Sequence, residues 1–421
     1  MRALTLSEAL LARAAGRRDA SPGDLLTCRI DKCLATDITA PLSIEVFRKM
    51  GARRVARPES LILVNDHFVP AKDIASANFA RAMREFAQEQ KVGQYFEVGR
   101  SGICHALVAE RGLVSPGEIF VGADSHTCTA GALGAFATGV GSTDLAAVWA
   151  LGELWFRVPE TVRVVLDGAL RPPVTSKDVI LKVLSEIGVD GGRYMAIEFA
   201  GDGLASLPME ARLTLCNMAV EAGAKAGLVP PDAVTARWVA EKGGTLDLAL
   251  SPDSGARYAQ TLTVELSKLE PLVAVPFLPS LVRPARELRG TVVDQVFIGS
   301  CTNGYLPDLR DAARILKGRK VADGVRLIVT PATQDVYLAA AREGILSDLV
   351  EAGAAVTTPT CGACLGGHMG VLGSGETALA TTNRNFRGRM GDTSSRVYLA
   401  NPLVAAATAV AGTISLPEDL P

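Results

Sequence analysis

The stretch Leu61-Ile-Leu-Val-Asn-Asp-His67 consists of four apolar residues followed directly by three polar ones. An unbroken apolar run of this kind is typical of a strand that is buried on both faces, as in parallel sheets. Residues 73–91, further along the chain, have the apolar spacing of a helix. This alternation of a short strand with a helix predicts an α/β fold.

The same alternation continues through the rest of the chain. Further strands are predicted at residues 119–123, 161–166, 194–199, 292–298 and 326–330. A capping box at Thr175-Ser-Lys-Asp178 predicts a helix that ends near Gly188. Weak boundaries follow Pro159 and lie in the proline-rich stretch 271–284, which we interpret as a linker or an irregular edge. We therefore expect three α/β domains, at residues 1–160, 161–285 and 286–421.

The composition excludes several classes of protein. The chain has 421 residues, with 43 basic and 45 acidic side chains, a net charge of −2, and 48% hydrophobic residues. This balance argues against a disordered chain and against a non-specific nucleic-acid binder. No apolar run is long enough to span a membrane. The first residues resemble an amphipathic helix rather than a signal peptide. Eight cysteines are too few for a disulfide scaffold in a chain of this length. We expect a soluble cytoplasmic protein without a membrane or nucleic-acid partner.

Polar side chains directly follow three of the predicted strands. Asp66 and His67 follow the first quoted run, Asp124-Ser125-His126 follow the strand at 119–123, and Cys301 follows the strand at 292–298. Ligands in open α/β sheets bind beyond the carboxyl ends of the strands. One such pair alone could be a capped turn, but three together predict a single functional cleft.

Two of the eight cysteines have the spacing of a metal site. Cys361-Gly-Ala-Cys364 lies in a glycine-rich loop, where two thiolates can meet one metal or cluster, and Cys301 is a candidate third ligand. Three ligands leave one position open, as a catalytic centre requires. A thioredoxin-like redox pair, half of a zinc site, a zinc hydrolase and chance are the alternatives. The other cysteines are interpreted as buried structural thiols: Cys28, Cys33, Cys104, Cys128 and Cys216.

Two further stretches allow a structural or a functional interpretation. Residues 127–143 are uncharged and glycine-rich, without the glycine pattern of a dinucleotide site, and predict a tightly packed element behind the cleft. Asn383-Arg-Asn-Phe-Arg-Gly-Arg389 carries three arginines. The stretch could be a solvated turn, but beside a metal cleft we favour the capture of substrate carboxylates by guanidinium groups.

Taken together, the chain resembles the aconitase superfamily, in the branch of isopropylmalate dehydratases and homoaconitases. The motifs occur in the family's order between about residues 24 and 412. They are Asn65-Asp-His-Phe-Val-Pro70, Gly102-Ile-Cys-His105, Gly122-Ala-Asp-Ser-His-Thr127, Gly299-Ser-Cys-Thr-Asn-Gly304, Cys361-Gly-Ala-Cys364 and Asn383-Arg-Asn-Phe-Arg-Gly-Arg389. The resemblance implies three α/β/α domains around a central cluster cleft.

The resemblance also implies a cofactor and a role for each matching residue. Cys301, Cys361 and Cys364 would hold a [4Fe-4S] cluster whose labile fourth iron acts as a Lewis acid. Asp66 and His67 match the pair that protonates the departing hydroxyl. The remaining matches are the pairs His105 with Asp124 and His126 with Glu221, the carboxylate contacts Ser125, Arg384 and Arg389, and the cluster-site or solvent-site positions Asn217 and Asn383.

The branch implies the substrate class and a partner. Pro41 stands where aconitases have a carboxylate-binding Gln, which favours 2-substituted malates over citrate. Within the branch we expect an isopropylmalate dehydratase of leucine biosynthesis. The alternatives are a homoaconitase large subunit of lysine biosynthesis and, less favoured, a cluster-sensing RNA-binding protein. The family's catalytic Ser lies on a fourth domain beyond the matched part, so we expect a separate small subunit to carry it.

Overall fold

Strands and helices alternate along the chain in a computed structural model that describes residues 2–244 and 250–421. The strands are β1 (Leu25–Arg29), β2 (Lys32–Thr36), β3 (Leu61–Val64), β4 (Gln94–Phe96), β5 (Ile119–Gly122), β6 (Phe136–Gly139), β7 (Glu153–Arg157), β8 (Thr161–Asp167), β9 (Ala196–Ala200), β10 (Ala226–Leu228), β11 (Gln260–Glu265), β12 (Leu272–Ala274), β13 (Val282–Pro284), β14 (Gln295–Ile298), β15 (Arg326–Val329), β16 (Ala355–Val356), β17 (Thr377–Ala380) and β18 (Arg396–Leu399). The helices are α1 (Leu6–Ala14), α2 (Ala40–Lys49), α3 (Ile74–Gln90), α4 (Cys104–Glu110), α5 (Ser142–Leu151), α6 (Ser176–Ile187), α7 (Met209–Asn217), α8 (Ala233–Glu241), α9 (Ser300–Asn303), α10 (Leu306–Leu316), α11 (Gln334–Arg342), α12 (Ile345–Ala352) and α13 (Pro402–Ala411). Within the described ranges, every helix is too short or too polar to cross a membrane.

Three sheets built mainly of parallel strands form the framework, and the predicted α/β class is confirmed. A five-stranded sheet has the order β4-β3-β2-β5-β6, and the antiparallel ribbon β1-β7 stands apart from it. A four-stranded parallel sheet follows, with the order β10-β9-β8-β11. The seven-stranded third sheet has the order β13-β12-β18-β17-β14-β15-β16, in which only β12 and β13 run antiparallel to their neighbours.

The structure differs from the sequence-based prediction in three segments. The strand predicted at 194–199 begins only at Ala196, because Tyr194 has a φ of 60°, which a strand does not allow. The strand predicted at 292–298 begins at Gln295. The stretch 271–284 is not a linker, since β12 and β13 lie within it and pair in the third sheet. Two strands from the predicted middle domain therefore belong to the sheet of the last one.

A shared apolar core fixes the sheets relative to one another. Leu133 from the first predicted domain, Phe199 from the second and Phe297 from the third belong to one cluster of buried residues. Separate aromatic packing of Phe86 on Trp149, with ring centroids 5.2 Å apart, supports the first sheet. The carboxyl ends of strands from different sheets are consequently held at fixed distances from each other.

Arg212 is a wholly buried cation that ties the middle of the fold together. Its guanidinium donates to both carboxylate oxygens of Asp232, at 2.7 Å each, and to the carbonyls of Leu204 and Leu207. We expect Arg212→Met to lower the free energy of unfolding by about 1–3 kcal/mol, because buried carbonyls lose their donors. Denaturant unfolding measures the change, with Arg18→Met on the surface as the control. Equal stability of the two variants would contradict this role.

Candidate active site

One cavity of about 250 Å³ collects the polar side chains that follow β3, β5, β14 and β17. The predicted site residues that line it are Asp66, His67, His105, Asp124, Ser125, His126, Cys301, Cys361, Cys364, Asn383, Arg384 and Arg389. Two more predicted residues lie outside the lining but contact it: Asn217 donates to Cys301 Sγ, and Glu221 is hydrogen-bonded to His126. The structure therefore brings all fourteen predicted site residues to one place. Sequence reasoning did not include Ile38, Ile103, Cys104 and Leu365, which also line the cavity.

His67 has the geometry of a proton donor that faces the cavity. Its Nδ1 lies 2.7 Å from Asp66 Oδ1, and its Nε2 lies 3.6 Å from Asp124 Oδ2. Burial alone would lower the pKa of His67, but the neighbouring carboxylates of Asp66 and Asp124 outweigh it and raise that pKa well above its usual value. The imidazole is thus held in the protonated form, with one nitrogen anchored and the other directed at the cavity.

Asp37 positions the turn that carries this pair. Its Oδ1 accepts the backbone N–H groups of Asp66 and His67, at 3.1 and 2.9 Å, and its Oδ2 accepts that of Phe68 at 2.8 Å. The ligand atoms of Asp37, Asp66 and His67 lie within 4.8 Å of one another, a spacing that a metal ion also uses. Because the oxygens of Asp37 already accept three N–H groups, we interpret the cluster as a hydrogen-bonded turn. In the sequence, the feature that points to Asp37 is its position directly after the strand β2.

Two further imidazole–carboxylate pairs lie opposite His67. His105 Nε2 is 2.7 Å from Asp124 Oδ1, and His126 Nε2 is 2.9 Å from Glu221 Oε1. Burial tends to raise the pKa of Asp124, yet contact with His105 and His126 lowers it well below its usual value. Arg384 Nε donates to both oxygens of Glu221, at 2.8 and 3.1 Å. These pairs hold the rings of His105 and His126 in fixed orientations.

Amide groups surround the sulfur of Cys301. Asn217 Nδ2 lies 3.1 Å and Asn383 Nδ2 lies 3.4 Å from Cys301 Sγ, and the two asparagines are joined by a hydrogen bond of 3.2 Å. Burial raises the pKa of the Cys301 thiol far above its usual value when no metal is bound. Donors directed at a buried sulfur stabilise it as a thiolate, which is the form that binds metal.

Cys361 and Cys364 form the opposite wall of the cavity. A hydrogen bond from the Cys361 thiol lowers the pKa of Cys364, although burial opposes this, and Arg389 lowers it further. Arg389 Nη2 lies 3.9 Å from Cys364 Sγ. The backbone N–H of Cys361 donates to the carbonyl of Asp66 at 2.7 Å. The cysteine loop and the Asp66-His67 turn are therefore bonded directly to each other.

Three thiols predicted as metal ligands line the cavity, those of Cys301, Cys361 and Cys364. Thiolates are the ligands of iron–sulfur clusters, and hydrogen bonds to the sulfurs tune such clusters. The two amide donors at Cys301 Sγ therefore suit an iron–sulfur cluster. Among residues 2–244 and 250–421, the only triad of potential ligand atoms that all lie within 4.8 Å is Asp37, Asp66 and His67.

Cys104 is the cysteine that the sequence analysis placed outside the cleft and that nevertheless lines it. Its backbone N–H donates to Asp66 Oδ2 at 2.7 Å, which completes the support of that carboxylate. Burial, together with the nearby charges of Asp66 and Asp124, raises the pKa of the Cys104 thiol well above its usual value. Cys104 therefore supports the Asp66-His67 pair through its backbone N–H.

Comparisons with known proteins point to one family. A family model described as the Aconitase family (aconitate hydratase) matches residues 11–292 and 282–412. A 3-isopropylmalate dehydratase large subunit from Moorella thermoacetica is 55% identical over 417 residues and covers 99% of both chains. One from Thermodesulfovibrio yellowstonii is 52% identical with the same coverage. The crystal structure of Thermococcus kodakaraensis aconitase X (holo-form) has a TM-score of 0.52 at 14% identity, covers 87% of this chain and 89% of that one, and shows a shared fold.

Proposed function

Because the chain belongs to the aconitase family, which makes it a hydro-lyase, we propose that it is the large subunit of a 3-isopropylmalate dehydratase. Such an enzyme interconverts 2-isopropylmalate and 3-isopropylmalate by removing and re-adding water. The observation that carries the proposal is identity of 55% over nearly the full length to a relative of that name. The cavity with three cysteines and three imidazole–carboxylate pairs supplies groups suited to this chemistry.

The family implies an iron–sulfur centre, and we propose that Cys301, Cys361 and Cys364 hold it as a [4Fe-4S] cluster with one labile iron. The position of these three thiols in the cavity lining and the amide donors at Cys301 support this assignment. When bound, the cluster supplies a Lewis acid that makes the substrate hydroxyl a better leaving group.

His67 is proposed to deliver the proton that this hydroxyl needs to leave as water. The imidazolium is stabilised by Asp66, and the bond to Nδ1 leaves Nε2 as the group that faces the substrate. In the reverse direction the same nitrogen takes the proton back from water. His105 with Asp124 and His126 with Glu221 orient the water that leaves and returns.

Arginines at the edge of the cavity are proposed to bind the substrate carboxylates, together with Ser125. Arg384 is fixed by Glu221, so its remaining N–H groups are held in one direction. Arg389 has a buried Nε that finds no acceptor among the described residues. An unsatisfied buried donor on a guanidinium is well suited to an anionic ligand oxygen.

Arg389→Lys tests the carboxylate site. The ammonium of Lys cannot reproduce the planar fork of a guanidinium, so about 1.5–3 kcal/mol of charge-assisted hydrogen bonding is lost. We expect KM to rise roughly 10- to 150-fold, with a smaller change in kcat. Steady-state kinetics with the two-subunit enzyme measure both constants, and Arg387→Lys, outside the cavity lining, is the control. An unchanged KM would remove Arg389 from the binding site.

A small subunit is the partner that the relatives' names imply. The reaction also requires a base that removes the proton from the carbon beside a carboxylate. The carboxylates Asp66, Asp124 and Glu221 in and behind the cavity are each engaged by an imidazole. We propose that the small subunit closes the cavity with a mobile domain and contributes a catalytic Ser as this base.

Anaerobic reconstitution tests the proposed function. The chain is loaded with iron and sulfide and assayed with and without its small subunit against isopropylmalate, homocitrate, homoaconitate and citrate. We expect turnover of isopropylmalate, and only with both subunits present. Preferred turnover of homoaconitate would identify a homoaconitase, retention on RNA after cluster loss would favour the sensing role, and activity with zinc alone would exclude the cluster.

A further inference from the structure

Lys177, the second residue of α6, is a wholly buried cation that the proposed reaction does not use. Its exposed fraction is 0%, and its Nζ donates to the carbonyls of Thr381 and Thr382, at 2.8 and 2.6 Å, and to Asn303 Oδ1 at 3.3 Å. An ammonium has three N–H donors and no acceptor. Three acceptors therefore match the charged form of the side chain, whereas the neutral amine has only two N–H groups.

The three acceptors belong to the two segments that meet at Cys301. Asn303 lies two residues after Cys301 in α9, and Thr382 directly precedes Asn383, whose amide contacts Cys301 Sγ. Thr302 Oγ1 also donates to the carbonyl of Thr381, at 2.8 Å. Lys177 reaches both segments from a helix of the middle sheet, so its ammonium links three parts of the fold at one point.

Among the described residues, no carboxylate oxygen lies within 4.0 Å of Lys177 Nζ. Asp308 is separated from it by Asn303, whose Nδ2 donates to Asp308 Oδ1 at 3.1 Å. Burial lowers the pKa of Lys177 to about 7, while Asp308, Cys364 and Cys301 act in the opposite direction. A buried cation without a paired anion is costly unless negative charge lies nearby. Asp308, behind Asn303, provides such charge, and so do Cys364 and Cys301 on the cavity side.

We propose that Lys177 is a positioning residue for the cluster: it joins the Cys301 segment to the Asn383 segment, and its positive charge balances the thiolates. The inference rests on the proposed function, because it concerns the cluster held by Cys301, Cys361 and Cys364. An added positive charge favours the reduced, more negative form of a cluster. Removing it therefore lowers the reduction potential, whereas loosened packing exposes the cluster to water, which stabilises the more negative form and raises the potential.

Two variants separate the charge from the hydrogen bonds. Lys177→Gln keeps an amide donor for the carbonyls and loses the charge, whereas Lys177→Met loses both. Arg212→Met is the matched control, because Arg212 is also wholly buried and pairs with Asp232. Each variant is reconstituted anaerobically and analysed for iron and sulfide content, for the midpoint potential of the cluster by electron paramagnetic resonance, and for the rate of iron loss in air.

We expect lower midpoint potentials in both Lys177 variants and iron loss about 10- to 100-fold faster in Lys177→Met. Should Lys177→Met fail to fold, the potential of Lys177→Gln decides. If the wild-type chain binds no cluster, the proposed function fails. If it binds one and the Lys177 variants match Arg212→Met in potential and iron loss, this inference is wrong.

Discussion

Replacement of Cys301, Cys361 or Cys364 by Ser is expected to reduce dehydratase activity below detection. The three sulfurs are the only thiols that we assign to the cluster, and a Ser hydroxyl at neutral pH is a far poorer ligand than a thiolate. Two remaining thiolates cannot retain a cluster that is already open to solvent at one iron. Iron and sulfide analysis of the anaerobically reconstituted chain, together with its visible absorption, measures the loss directly.

Cysteines outside the cavity provide the controls for this experiment. Cys28 lies in β1 and donates to the carbonyl of Leu11 at 3.5 Å, and Cys216 is buried in α7. Cys28→Ser and Cys216→Ser should bind a full complement of iron, even if their unfolding temperatures fall. A Cys364→Ser chain that retained four irons would refute the ligand assignment.

His67→Asn is expected to lower kcat by about 10²- to 10⁴-fold while the cluster stays intact, because it removes the proposed general acid. The amide can still donate a hydrogen bond, but it cannot release a proton at neutral pH. Measuring kcat beside the iron content separates lost chemistry from a lost cofactor. His368→Asn is the control for the structure of this turn, because His368 Nε2 lies 3.0 Å from the carbonyl oxygen of His67 but outside the cavity lining. Near-normal turnover of His67→Asn would assign the proton to a different group.

Three of the four strands that carry the site, β3, β5 and β14, were predicted because each is a short apolar run buried on both faces. The fourth, β17, was not predicted. β3 and β5 are parallel and lie on either side of β2 in the first sheet, so polar residues that follow them emerge at the same edge. The strands β12 and β13, at one end of the third sheet, were also missed, since each has three residues, too few to show a period. Pairing with neighbours distant in the chain, rather than local pattern, makes them strands.

Residues whose importance comes from tertiary contacts were harder to identify. Glu221 and His126 are 95 positions apart, and only the family resemblance paired them. Asp37 acts by accepting backbone N–H groups, which no side-chain motif reveals. Lys177 lies in a helix, where a lysine is expected to be exposed to solvent because lysines are rarely buried. Its role is visible only from the carbonyls that meet it.

The bond between the Cys361 N–H and the Asp66 carbonyl has a consequence for the order of events during synthesis. The first proposed site residues leave the ribosome long before the cysteine loop and Arg389 are made. At about 5–20 residues per second, the interval between His67 and Arg389 is roughly 16 to 64 s. Throughout that time the Asp66-His67 turn lacks its partner loop and the three thiolates are not yet together. Assembly of the proposed cluster must therefore wait until Cys364, the last of its proposed ligands, has been made.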